Sequence, residues 1–266
     1  MFPLRTFWRI TCSFRIPSSV SLRSSSFSNH IRHQNSGKEE NEQVVFDSVV
    51  NRAFRHVYFR TLPLRRQPEL KGKEKEICES IEAEARQLCW KHRERVVDDR
   101  SAAHIHLSSM ALSTYKTLLP FLDSNEERTL NIVGRGFGLA DVNSSSKSGL
   151  QWILQFMLLV SLNKLSTLKR MAENIERDFG KSFDIIQESE VDSNNKLVAH
   201  QMIVRRCLYN DFFVAEGYPQ VTRLFCALDR SYFGEVKEKR HGVRFTLSQT
   251  LVDSDSCIFR LEKTRR

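Results

Sequence analysis

Phe183-Asp-Ile-Ile-Gln-Glu-Ser-Glu-Val191, then Asp192-Ser-Asn-Asn195, then Leu197 to Val204, is the stretch that decides the fold. Two runs rich in β-branched residues flank a cluster of turn formers, and this pattern predicts a β-hairpin. Upstream, the pattern is helical. From Val44 to Phe59 apolar residues recur at helical spacing until Leu62-Pro63-Leu64 breaks the run. From about Pro68 to Val97 the residues Ile77, Ile81, Ala85, Leu88 and Cys89 form one apolar stripe, so Cys78 and Cys89 read as packing residues. Asp98-Asp99-Arg-Ser101 opens a helix that runs to Leu119. Ser124 is the candidate cap of another helix, from about Asn125. That helix ends in Gly134-Arg-Gly136-Phe-Gly138, which is a helix stop and not a dinucleotide loop: Leu139 stands where a third glycine belongs, and no strand precedes it. Gly149 to Leu162 is the most apolar run, expected as a buried helix continuing to Phe179. It is too short, at about fourteen residues, to cross a bilayer.

Downstream of the hairpin, two short helices (208–216 and 219–233) meet at Gly217-Tyr-Pro219. A second strand pair follows, Val243 to Leu251 and Cys257 to Leu261, with Asp253-Ser-Asp255 in the turn. The fold class expected is therefore α+β. A helical region (41–180) precedes a region (181–266) with a four-strand antiparallel sheet and two helices inserted between its strand pairs.

The net charge of +9 is unevenly spread. Residues 1–38 hold Arg5, Arg9, Arg15, Arg23, Arg32 and Lys38 and no acid, which leaves only +3 for the rest. A nucleic-acid partner loses its main support. The N-terminal 40 residues, rich in Arg and Ser with interleaved bulky side chains, read as an organelle transit peptide and linker. The expected address is the mitochondrion, with the chloroplast as alternative, and the remaining chain is expected to be soluble. No secretory signal is evident, so the cysteines are expected to be reduced.

Three of these cysteines, Cys207, Cys226 and Cys257, fall in the last third of the chain, separated by eighteen and thirty residues. No zinc-finger spacing fits, so any site must be assembled by the fold. Asp229 follows Cys226 by three residues and shares its helix face. Asp211, Asp229 and Glu216 are candidate general bases, and Arg205 and Arg206 can hold a substrate carboxylate. The alternative reading is that these thiols pack as small hydrophobes.

The order Val204-Arg-Arg-Cys207-Leu-Tyr209, Glu216-Gly-Tyr-Pro219, Phe225-Cys226-Ala-Leu-Asp229, Thr250-Leu251, Cys257-Ile-Phe259-Arg-Leu261 resembles the L-2-amino-thiazoline-4-carboxylic acid hydrolase family. The helix His104-Ile-His106-Leu to Ala111-Leu-Ser-Thr-Tyr115-Lys-Thr-Leu118 is similar to that family's helical region. One position departs: Ile258 stands where the family pattern favours Asp. The resemblance implies hydrolytic opening of a small cyclic amidine thioether. Cys207 or Cys226 would attack, Asp229 or Glu216 would activate water, and Arg206 with Tyr209 would bind the substrate. No cofactor is implied.

A more distant likeness is to the plastid iron-containing beta-carotene isomerases, which share one Cys after a strand, a second about twenty residues on, and a final Cys-x-Phe. That likeness implies a non-haem iron and a hydrophobic substrate; if a metal is bound, iron or zinc, the ligand candidates are Cys207, Cys226, Cys257 and His106 (or His104). A third reading is an organellar binding or assembly protein that keeps the fold without the chemistry.

Overall fold

The computed structural model describes residues 49–139, 157–234 and 236–264. The hairpin is present as β1 (Asp184–Val191) and β2 (Leu197–Arg206), paired antiparallel. Its turn works as its residues dictate. The Asp192 carboxylate accepts the Asn194 and Lys196 N–H groups, both at 2.9 Å, and Asn195 takes up a left-handed φ of 58°. The second strand pair is β3 (Val243–Leu247) and β4 (Cys257–Lys263). β4 inserts beside β2, so the sheet order is β1-β2-β4-β3, antiparallel throughout.

Strand alternation gives this sheet two different faces. On the inner face lie Met202, Val204, Cys257, Phe259 and Leu261, all buried. They are covered by α5 (Lys164–Phe179), whose Leu165 and Leu168 complete a small second core. The outer face is a lattice of ion pairs, Arg205 with Asp184 and Arg260 with Glu190 and Glu262, around the aligned row Ile186, Ile203 and Ile258.

The helices upstream are α1 (Val49–Thr61), α2 (Glu74–Lys91), α3 (Asp99–Leu118) and α4 (Glu126–Gly136). Between β2 and β3 come α6 (Leu208–Ala215), α7 (Thr222–Phe233) and the single turn α8 (Glu238–His241). α3 is the axis of the main core and is buried on every side, with serines and histidines as well as Ile105, Met110 and Leu112 inside. It starts in a reciprocal capping box: Asp98 Oδ1 accepts the Ser101 N–H at 2.7 Å, and Ser101 Oγ accepts the Asp98 N–H at 2.9 Å. α2 and α6 pack against α3, and Phe212 and Phe213 of α6 are fully buried. Cys89 lies in this core and Cys78 at its edge, as the stripe on α2 predicts.

Some boundaries differ from the sequence expectation. α2 occupies only 74–91, because Pro68 starts a 3₁₀ turn and Gly72 adopts a φ of 84° before it. The cap of α4 is Asn125, whose side chain accepts the Arg128 N–H, and not Ser124. No continuous helix runs from the apolar segment to Phe179. Residues 157–160 are helical, the chain breaks at 161–163, and Asn163 caps α5 anew. Leu159, Val160 and Leu162 are exposed at that break, so they are not core residues. Residues 149–156 of that run, and the first 40 residues read as a transit peptide, lie outside the described residues.

Candidate functional site

The sheet and the helices bring the three late cysteines together at the seam between the two cores. Cys257 opens β4 opposite Val204, near the end of β2, and faces inward. Cys207 is the first residue after β2 and the N-cap of α6, and it packs against both cores. Cys226 and Asp229 lie one turn apart on α7. The negative charge of Asp229 acts on all three thiols, and those of Cys226 and Cys257 act on Cys207 as well.

The electrostatics follow from burial. Desolvation drives the Cys207 thiol far up, with the Asn210 N–H of the first turn of α6 offsetting only part. Cys226 is likewise pushed well up, by burial and then by Asp229 and Cys257, against which the Arg230 charge is a small counterweight. Cys257 is pushed up to about 11, although its sulfur accepts the Leu251 N–H at 3.2 Å. Asp229 is raised to about 7 by burial alone. Among the described residues it has no hydrogen-bond or ion-pair partner. The site therefore holds three thiols kept protonated by burial and, within reach of their charge, one carboxyl group raised to about 7. That carboxyl is the group fitted to exchange protons at physiological pH.

A cleft of about 240 Å³ opens against this cluster. One wall is a single face of α7, with Arg223, Cys226, Ala227 and Arg230; the other is the β3–β4 loop, with Thr250, Val252 and Asp253. Cys226 is the only one of the three thiols on its lining. Arg223 pairs with Glu127 at 3.2 Å, whereas the exposed Arg230 guanidinium has no polar partner among the described residues. Both arginines went unread in the sequence. The signal was there, since positions 223, 226, 227 and 230 repeat at helical spacing around Cys226.

Other sequence candidates sit elsewhere. Glu216 ends α6 in a clasp: its carboxylate accepts from Lys91 Nζ at 2.8 Å and from His92 Nε2 at 2.6 Å. Burial keeps the His92 ring neutral in spite of this carboxylate, so Nε2 carries the proton it donates. For Glu216 itself burial pushes up, but the bonds from Lys91 and His92 outweigh it and the net shift is down. This is a structural pair, not a base beside the thiols.

Arg206 donates to the Lys181 carbonyl at 3.3 Å and Arg205 pairs with Asp184; neither lines the cleft. Tyr209 is buried, stacked on Phe225 at 3.9 Å between ring centroids, with its hydroxyl 2.6 Å from His104 Nδ1. It positions α6 against α3. The His104 ring is enclosed by Phe179, Phe183 and Tyr209, and burial depresses it to about 4; its buried Nε2 has no hydrogen-bond partner among the described residues.

The ligand set considered for iron or zinc is not assembled. His106 and His104 point to different sides of α3, because two helical positions are about 200° apart. His106 meets Arg55 Nη1 at 3.4 Å and the edge of Phe54, away from the thiols. Among the described residues no three His, Cys, Asp or Glu side chains group as metal ligands. Ile258, the departure from the family pattern, projects from the outer face of the sheet beside Ile203, opposite in direction to Cys257.

Residues 154–261 match the family model for L-2-amino-thiazoline-4-carboxylic acid hydrolase. The match spans less than half of the 266 residues, but it contains the whole sheet core, α6, α7 and every residue of the thiol site and cleft. The C-terminal part of this chain is thus similar to the family that its cysteine phrases resemble. Neither the curated proteins nor the solved structures include a match to the chain. No described helix is long and apolar enough to cross a membrane.

Proposed function

We propose that this chain is a hydrolase that opens a small, anionic cyclic amidine thioether, with Cys226 as nucleophile and Asp229 as its base. The observation that carries the reading is the thiol at the cleft wall with an unpaired, half-buried carboxyl one turn behind it, inside the segment that matches the hydrolase family. Asp229 takes the Cys226 proton as sulfur adds to the ring carbon between nitrogen and sulfur. The ring C–S bond then breaks and Asp229 returns the proton to the departing ring sulfur. Water, deprotonated by Asp229, next adds to the same carbon and expels Cys226, which recovers its proton. The net change is one water consumed, one ureido group formed and one free thiol released. Arg230, rather than Arg206, is the cation placed to hold a carboxylate over Cys226.

The test is incubation of the purified chain with 2-amino-thiazoline-4-carboxylate, following released thiol and product mass. Turnover should vanish in Cys226→Ser and fall about 10²-fold or more in Asp229→Asn. A Cys226→Ser rate equal to wild type would overturn the nucleophile assignment. No turnover by wild type would favour a binding protein that has kept the fold. For the N-terminal 40 residues we propose mitochondrial import, checked by the location of a fluorescent protein fused behind them.

A further inference from the structure

Cys257 is not part of the reaction just described, yet it anchors the loop that faces the thiol that is. Its sulfur is tied to the Leu251 N–H, and Leu251 belongs to the loop whose neighbours Thr250 and Val252 form the wall facing Cys226. Cys226 thus lines one side of the cleft, while Cys257 lies beneath the opposite wall, tied to the loop that forms it. Cys207 is held differently, wedged between the two cores and beside the first turn of α6.

We propose that Cys226 and Cys257 form a peroxide-modified pair, in which oxidation staples α7 to the start of β4, beside the β3–β4 loop, and closes the cleft. A hydroperoxide entering the cleft meets Cys226 first. The thiolate attacks the O–O bond, giving Cys226 sulfenic acid and releasing water from hydrogen peroxide (or an alcohol from an organic hydroperoxide). The Cys257 thiol then attacks the sulfenic sulfur, forming the disulfide and a second water; the protein is oxidised by two electrons and the peroxide reduced by two. Burial holds both thiols protonated, so the pair responds to sustained oxidant and not to a brief pulse. The disulfide removes the only thiol on the cleft lining and takes the sulfur that anchors Leu251, so one event blocks the site in two ways.

The experiment needs no substrate. The full chain is treated with hydrogen peroxide, quenched with an alkylating reagent, digested without reduction and mapped by mass spectrometry. The expected result is a reducible cross-link between the peptides holding Cys226 and Cys257, with the protein lighter by two hydrogens. In Cys257→Ser the cross-link should be replaced by a Cys226 sulfenic acid, captured by a dimedone probe. In Cys207→Ser it should persist. A cross-link that joins Cys207 to either partner, or no cross-link at any peroxide dose, overturns the proposal. The wild-type map alone decides this, should a variant fail to fold.

Discussion

Replacing Asp229 with Asn should stabilise the protein while destroying its turnover. The carboxyl is raised from 3.8 to about 7 by burial alone, with no cation or donor in compensation. Its folded form thus holds a proton that the unfolded chain releases near pH 4. Stability falls as pH rises between those values, and the penalty is complete once pH exceeds the folded value. About three pKa units correspond to ~4 kcal/mol as an upper bound. Because Asp229 keeps some water contact, about half of that, ~2 kcal/mol, is the expected gain for the Asn variant above pH 7.5. In a domain of this size ~2 kcal/mol raises Tm by about 4–8 °C. Thermal unfolding of both proteins at pH 5, 6, 7 and 8 should show an Asn advantage that grows with pH. A wild type more stable than Asp229→Asn at pH 8 would mean that the carboxylate is paired, and the reasoning would be refuted.

Glu216→Gln should cost about 1–3 kcal/mol, because the side chains of His92 and Glu216 are only 6% and 8% exposed and the ring would lose its charged acceptor; Tm should drop while KM stays unchanged. Gly136→Ala should cost about 1–3 kcal/mol or more by overpacking, since a Cβ there overlaps the buried Tyr58 ring, and a Tm equal to wild type would mean that α1 and α4 part easily. Ile258→Asp restores the acid of the family pattern on the outer face, where it cannot reach the thiols; turnover should not rise, and a tenfold gain would show that the outer face serves the site.

The elements were legible where local chemistry decides them. The hairpin turn, the Asp98 cap and the stripe on α2 all express short-range rules, and the structure keeps them. The apolar run before α5 misled, because periodicity cannot reveal that Asn163 offers a cap and restarts the helix. Nor did composition show that α5 serves the sheet core and not the helical layer; that depends on pairings more than twenty residues away. In the site, the thiols and Asp229 were legible as scarce residue types in one segment. Glu216 looked equivalent to Asp229 in sequence, yet α6 ends beside Lys91 and His92, over 120 residues earlier, and they engage its carboxylate. Arg206 adjoins Cys207 in the chain, but adjacency at a strand end says little about direction, and its guanidinium donates to the Lys181 carbonyl instead. Arg230, four residues beyond Cys226, has the better claim through helix geometry.

The contrast between those two carboxylates explains why the seam between the cores is suited to chemistry. Both lie on or at the end of the short helices between β2 and β3; the Glu216 side chain is largely removed from water and Asp229 is half-buried. Glu216 is given two donors, so its burial ties α6 to α2. Asp229 is given no donor and no cation among the described residues, so nothing offsets the desolvation of its charge. A fold selected for stability alone would place Asn or Leu there, since burial raises the acid and no donor or cation offsets it. The protein instead carries an acid that is half ionised near neutrality, behind the thiol that lines a cleft flanked by arginines. Such a group destabilises the fold and can hold or yield a proton at that place, which is what the proposed attack by a protonated thiol requires.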